Sequence, residues 1–111
     1  MERLTTLDAY HAFIRAHSIA IIHVSSPTCS VCHAVLPRIK EMVSHFDGVA
    51  LGHVSIDEVP EIAGELLVFT VPVEVLFFEG KEIQREGRFI DVERIANQLN
   101  KMDKVHKITY R

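Results

Sequence analysis

Residues 19–32 read Ile19-Ala20-Ile21-Ile22-His23-Val24-Ser25-Ser26-Pro27-Thr28-Cys29-Ser30-Val31-Cys32, and they contain the only two cysteines of the 111-residue chain. Ile19 to Val24 is short, branched and nearly free of charge, which is the pattern of a buried strand. Ser25 to Thr28 reads as a loop. From about Cys29 to Phe46 the apolar residues Val31, Val35, Ile39, Met42, Val43 and Phe46 keep helical spacing, with a kink expected at Pro37. Thiols at i and i+3 on the first turn of a helix lie close enough to join with little backbone movement. The same turn offers free N–H groups and the positive end of the helix dipole, both of which stabilise a thiolate. A strand, a loop and a helix opened by Cys-x-x-Cys therefore point to a reversible redox site.

The flanking sequence extends this unit in both directions. Thr5-x-x-Asp8 reads as a capping box before a helix whose apolar face is Leu7, Tyr10, Phe13 and Ile14. Asp47-Gly48 ends the second helix, and Val49 to Ile56 is the next strand. Pro60 to Leu67 is a short helix with proline in the first turn, where its missing N–H costs nothing. Val73 to Phe78 is a strong strand, Glu79-Gly80 turns it into Lys81–Glu86, and Gly87 breaks that strand. Asp91 caps a last helix carrying Val92, Ile95, Ala96 and Leu99 on one face. Strands joined first by helical crossovers and then by a hairpin require one mixed sheet with helices on both faces.

A chain of this length is expected to form one domain, 1–111, with 102–111 as a C-terminal extension. At 48% apolar and 24% charged residues, the composition is that of an ordinary globular protein. A formal charge of −3 gives no argument for nucleic acid or an anionic membrane. No apolar run approaches the roughly 18–20 residues that span a bilayer. The N-terminus lacks the apolar region and cleavage site of a secretory signal, so a cytoplasmic location is expected. In a reducing compartment a close Cys pair is more often catalytic or metal-binding than structural.

Several features at fixed spacing give the chain its resemblance to the thioredoxin family over nearly its whole length. They are the strand leading into Cys29-Ser30-Val31-Cys32, Pro37 five residues after the second cysteine, Ser55-Ile56-Asp57 closing the following strand, Val71-Pro72 opening the next, and Gly87 after the hairpin. The resemblance implies an α/β thioredoxin fold: a mixed four-stranded sheet, with room for a short extra N-terminal strand, flanked by helices on both faces. It also implies a cis bond at Pro72, facing the cysteines, and a substrate groove lined by Thr28, Val71 and Pro72. Val71 would offer backbone groups to an extended substrate segment. The chain departs from the usual pattern in four places. Thr28 stands where Trp is usual, and the chain has no Trp. Ser30-Val31 replaces Gly-Pro, His23 replaces a buried Asp, and His53 replaces the Lys commonly paired with that Asp. The chain thus resembles a divergent, thioredoxin-like relative.

Cys29 is read as the attacking thiolate, exposed at the helix start, and Cys32 as the resolving thiol, facing inward one turn later. Val31 restores an amide that proline would remove, and that amide is expected to point at the Cys29 sulfur. A hydrogen bond to a charged group is worth about 1.5–3 kcal/mol. At about 30 mV per 1.4 kcal/mol, it would lower the Cys29 pKa and make the couple more oxidising. His23 has two readings, as a proton-transfer group for the resolving thiol or as a core histidine that fills space. His33 is expected on the helix surface and His53 to have no chemical duty, with Arg38 and Lys40 on a solvated face. The basic tail from Lys101 is expected to be a frayed extension of the last helix.

The leading function is reduction of protein or small-molecule disulfides by a monomer recycled by an upstream reductase, without a bound cofactor. Two alternatives stand beside it. Cys29 and Cys32, with His23 or His33 or shared between two chains, would hold a metal or cluster, although zinc needs four ligands and no second Cys pair supplies them. A redox-inert interaction protein on the same scaffold is the other.

Overall fold

A computed structural model describes residues 1–106 and 109–110, with side chains described through Met102. Strands β1 (Glu2–Arg3), β2 (Ile19–Ser25), β4 (Val49–Ser55), β5 (Val73–Phe78) and β6 (Lys81–Gly87) form one sheet in the order β1-β4-β2-β5-β6. The helices are α1 (Leu7–Ala16), α2 (Ser30–Val43), α3 (Ile62–Leu66) and α4 (Val92–His106). Short strands β3 (Phe46–Asp47) and β7 (Thr109–Tyr110) pair separately, antiparallel.

The centre of the sheet is β2, parallel to β4 on one side and antiparallel to β5 on the other. All seven of its residues are buried. Its alternation divides the core in two. Ala20, Ile22 and Val24 pack with Tyr10, Phe13 and Ile14 of α1 and Ile62 and Leu66 of α3. Ile19 and Ile21 pack on the opposite face with Val35, Ile39 and Met42 of α2 and Ile95 and Leu99 of α4. By the same period of two, His23 lies on the α2 face. The mixed sheet clothed on both faces agrees with the expected fold, and β1 is its extra edge strand, making five strands in all.

Local signals moved some boundaries. The cap of α1 is Thr6, whose hydroxyl accepts the Ala9 N–H at 3.0 Å, one residue later than the Thr5 box predicts. Helix α2 passes through Pro37 but ends at Val43, because Phe46 and Asp47 leave it to pair with β7. Helix α3 starts at Ile62 rather than Pro60, which remains outside and accepts the Ala63 N–H through its carbonyl. Strand β6 includes Gly87, paired with Val73, rather than breaking before it. Glu79 and Gly80 both take positive φ, 51° and 80°, the two-residue turn that matches strand twist in a hairpin. Helix α4 begins after Asp91, whose carboxylate accepts the Arg94 N–H at 3.0 Å. The tail does more than prolong that helix: Thr109 and Tyr110 return to β3. Residues 107, 108 and 111 of the predicted extension lie outside the described residues.

Gly52 on β4 sits where the sheet packs tightly against side chains of the segment from β1 to α1. A Cβ there would sit 2.8 Å from Leu4 Cδ1, 3.0 Å from Phe13 Cε2 and 3.1 Å from Ile22 Cδ1, all from buried side chains. Gly52→Ala is therefore expected to destabilise the fold by about 1–3 kcal/mol, the usual cost of overpacking. The check is a lower denaturant midpoint at unchanged slope.

Candidate active site

The loop after β2 delivers Cys29 to the N-cap of α2, with Cys32 on the first turn. The Cys29 N–H donates to the Ser26 carbonyl at 3.1 Å, and His33 Nε2 bonds the Pro27 carbonyl at 3.0 Å. These two contacts tie the loop to the helix that follows. Cys29 is half-buried and Cys32 is 2% exposed. The two are joined by a disulfide, their Cα atoms 5.3 Å apart. The Cys32 N–H donates to Cys29 Sγ at 3.1 Å. The hydrogen bond expected from Val31 is thus made by Cys32, the third helical residue, as at an ordinary N-cap. Val31 is instead 53% exposed, a bare apolar side chain beside the disulfide.

Sheet register places the other predicted residues at the same end of the molecule. Val73 pairs with Val24, so Pro72 and Val71 lie at the end of β2 from which the Cys29 loop departs. The Val71–Pro72 peptide is cis, and the Pro72 carbonyl accepts the Arg88 N–H at 3.1 Å. That bond fixes the turn between β6 and α4 next to Val71, with Phe89 one residue on and 87% exposed. Thr28 is exposed immediately before Cys29.

Beneath α2, the register sets five ionisable residues abreast across all five strands. Arg3 pairs with His53, His53 with His23, His23 with Glu74, and Glu74 with Glu86. His23 Nδ1 and Glu74 Oε2 are 2.6 Å apart, both side chains 1% exposed. The His53 ring centroid is 5.1 Å from that of His23, and His53 Nε2 is 2.5 Å from Ser25 Oγ. His53 is a strand residue, as expected, and belongs to this polar layer. Glu86 meets Arg94 of α4 at 3.5 Å. His23, His53 and Cys32 line one cavity of about 230 Å³, with Arg3, His33 and Glu58 at its wall.

Burial pushes the Glu74 carboxyl above its ordinary pKa, while the hydrogen bond from His23 opposes the rise. Burial also holds His53 below the usual histidine value, with His23 and Arg3 acting in the same direction. Two polar atoms of the row are buried and without a hydrogen-bond partner, His23 Nε2 and Glu74 Oε1. Glu74 was not singled out from the sequence. The available signal was a lone carboxylate inside Val73-Glu74-Val75-Leu76-Phe77-Phe78, a strand otherwise wholly apolar, where a charge needs a partner.

The family model for thioredoxin matches residues 2–101. The chain belongs to the thioredoxin family. It is 39% identical over 107 residues to the thioredoxin-like protein YdfQ of Bacillus subtilis (strain 168), covering 96% of each chain. It is 25% identical over 100 residues to a thioredoxin of Chlamydia caviae, covering 90% of this chain and 97% of that one. Plasmodium falciparum thioredoxin shares the fold at a TM-score of 0.80 and 16% identity, covering 91% of this chain and 98% of that chain. Oxidised mitochondrial thioredoxin 3 of Saccharomyces cerevisiae does so at 0.74 and 24% identity, covering 94% and 93%. Among the described residues, no group of three or more His, Cys, Asp or Glu side chains is arranged to hold a metal ion, and no helix is long and apolar enough to cross a membrane.

The raised Glu74 pKa has a definite sign in stability. A carboxyl that binds its proton more tightly when folded stabilises fully below its unfolded pKa, near 4.5, and loses that contribution as pH rises through the folded value. Denaturant titrations of wild type and Glu74→Gln across this range are therefore expected to show wild type losing ground to the variant as pH increases. A stability difference independent of pH would contradict the assignment.

Proposed function

We propose that this protein is a cytoplasmic thiol–disulfide oxidoreductase that reduces disulfides in proteins or small molecules, with residues 1–111 acting as one unit. The observation that carries the reading is the asymmetry of the Cys29–Cys32 pair: one sulfur at a helix N-cap with an amide on it, the other buried one turn later. The reduced Cys29 thiolate attacks a substrate disulfide and displaces the first substrate thiolate, which takes up a proton. Cys32 then gives its proton to His23, attacks Cys29 Sγ and displaces the second. The substrate gains two electrons as two thiols, and the enzyme is left with the Cys29–Cys32 disulfide. An upstream reductase returns it to the dithiol.

Thr28, Val71 and Pro72 border the cysteines as the substrate groove. Exposed Val31 and Phe89 add apolar surface around it, which favours disulfides flanked by apolar residues. Dithiothreitol-driven reduction of insulin is expected from wild type and not from Cys29→Ser. Cys32→Ser is expected to retain substrates as mixed disulfides on Cys29, visible as adducts in non-reducing gels. Equal insulin reduction by wild type and Cys29→Ser would refute the reading. Phe89→Ala is expected to raise KM for insulin a few-fold with the Cys29 pKa unchanged, measured by initial rates and thiol titration.

A further inference from the structure

We propose that Glu74 is a positioning residue for the resolving step: it holds the His23 proton on Nδ1 and so keeps Nε2 bare to receive the proton of Cys32. The inference deepens the oxidoreductase reading and rests on it. Its ground is geometric. Glu74 Oε2 lies 2.6 Å from Nδ1, and one of these two atoms must supply the proton between them. With the carboxylate ionised, that proton sits on Nδ1, and a neutral imidazole then carries its lone pair on Nε2. Nε2 is the ring's other nitrogen, buried and unpartnered, on a side chain that lines the same cavity as Cys32.

Proton balance follows the same pair. When Cys32 ionises, its proton binds Nε2, and the Nδ1 proton moves along the 2.6 Å bond to Glu74. The single negative charge leaves the pair and appears on the Cys32 sulfur, which spends it in attacking Cys29 Sγ. No separated ion pair is left in the sheet. Glu74→Gln has nearly the same shape, but its amide can donate to Nδ1, which moves the imidazole proton to Nε2 and blocks the base.

The test isolates the second chemical step. A mixed disulfide of Cys29 with thionitrobenzoate is formed on the intact protein, and release of the coloured thiolate by Cys32 is followed by stopped flow against pH. Wild type is expected to reach its plateau well below the ordinary thiol pKa of about 8.5. Glu74→Gln is expected to resolve about 10²-fold more slowly near neutral pH, at the low end of general-base effects, with its profile displaced toward that of a free thiol. Glu74→Asp should restore part of the rate. Other titratable groups on the packed elements are His53 on β4, Arg3 on β1, His33 on α2, Glu86 on β6 and Arg94 on α4. They are common to both proteins, so the difference between the two profiles reports Glu74.

Superimposable profiles for Glu74→Gln and wild type, with His23→Ala displaced, would overturn the role of Glu74 while leaving His23 as base. Superimposable profiles for all three would remove His23 from the mechanism as well. No release of thionitrobenzoate from the wild-type adduct would defeat the oxidoreductase reading itself. Should Glu74→Gln fail to fold, nitrogen NMR of His23 in the wild-type dithiol decides: a protonated Nδ1 and bare Nε2 at neutral pH support the proposal, and the reverse tautomer overturns it.

Discussion

The pairing of β2 between β4 and β5 is the constraint on which the rest of the molecule depends. Because β2 is central and buried on both faces, a shift of one residue would exchange its two sets of side chains between the α1–α3 core and the α2–α4 core. Ile19 and Ile21 would then meet the wrong helices, and His23 and Ser25 would enter an apolar core without partners. The apolar pattern and the two polar residues thus fix the register together. Once fixed, the register has two consequences for the site. The loop carrying Cys29 leaves β2 beside the start of β5, where the Val71–Pro72 bond lies. And His23 falls between His53 and Glu74 under the first turn of α2.

That polar layer is expensive, and its geometry shows how the expense is contained. Removing one member of a buried hydrogen-bonded pair leaves the other unsatisfied, at a cost of about 1–3 kcal/mol and more for a charged group. His23 and Glu74 therefore form a unit that the sheet keeps whole or not at all. The ends of the row are handled differently. Arg3 reaches Glu58 at the solvent edge, and Glu86 reaches Arg94 from α4, so the charges at the flanks are neutralised by neighbours nearer water. Only the middle of the row depends on itself, and the middle lies in the cavity shared with Cys32. Two atoms of that middle, His23 Nε2 and Glu74 Oε1, have no hydrogen-bond partner among the described residues.

Much of the fold was legible in the sequence because its signals are periodic. Tyr10, Phe13 and Ile14, Val35 and Ile39, and Ile95 and Leu99 mark helix faces by spacing alone, and each is buried as that spacing requires. The signals that failed were short-range choices between near-equivalent local partners. Thr5 and Thr6 are equally good caps by residue type, and the chain uses Thr6. Phe46 fits the helical period of α2, but its pairing with Tyr110 depends on a residue 64 positions away. The cysteine pair was evident from spacing. His23 was singled out through the family resemblance. Glu74 was missed because a carboxylate becomes informative only when the strand opposite it is known. Register, which no local window contains, turns an odd residue in β5 into half of a buried pair.

The same register gives the two cysteines of one motif different surroundings. Cys29 is held by backbone: an N-cap position, an amide at 3.1 Å and a helix dipole, none of which changes its charge with pH. Cys32 instead lines one cavity with the side chains of His23 and His53. In the mechanism proposed above, the helix alone stabilises the Cys29 thiolate. Cys32 keeps its proton in that mechanism until a mixed disulfide forms on Cys29. A dithiol with both sulfurs ionised would place two negative charges on one helical turn, so keeping the second proton in reserve is the electrostatically cheaper arrangement. An imidazole–carboxylate pair suits that reserve better than a lone buried carboxylate, since it takes up the proton within an existing hydrogen bond rather than on an isolated buried charge.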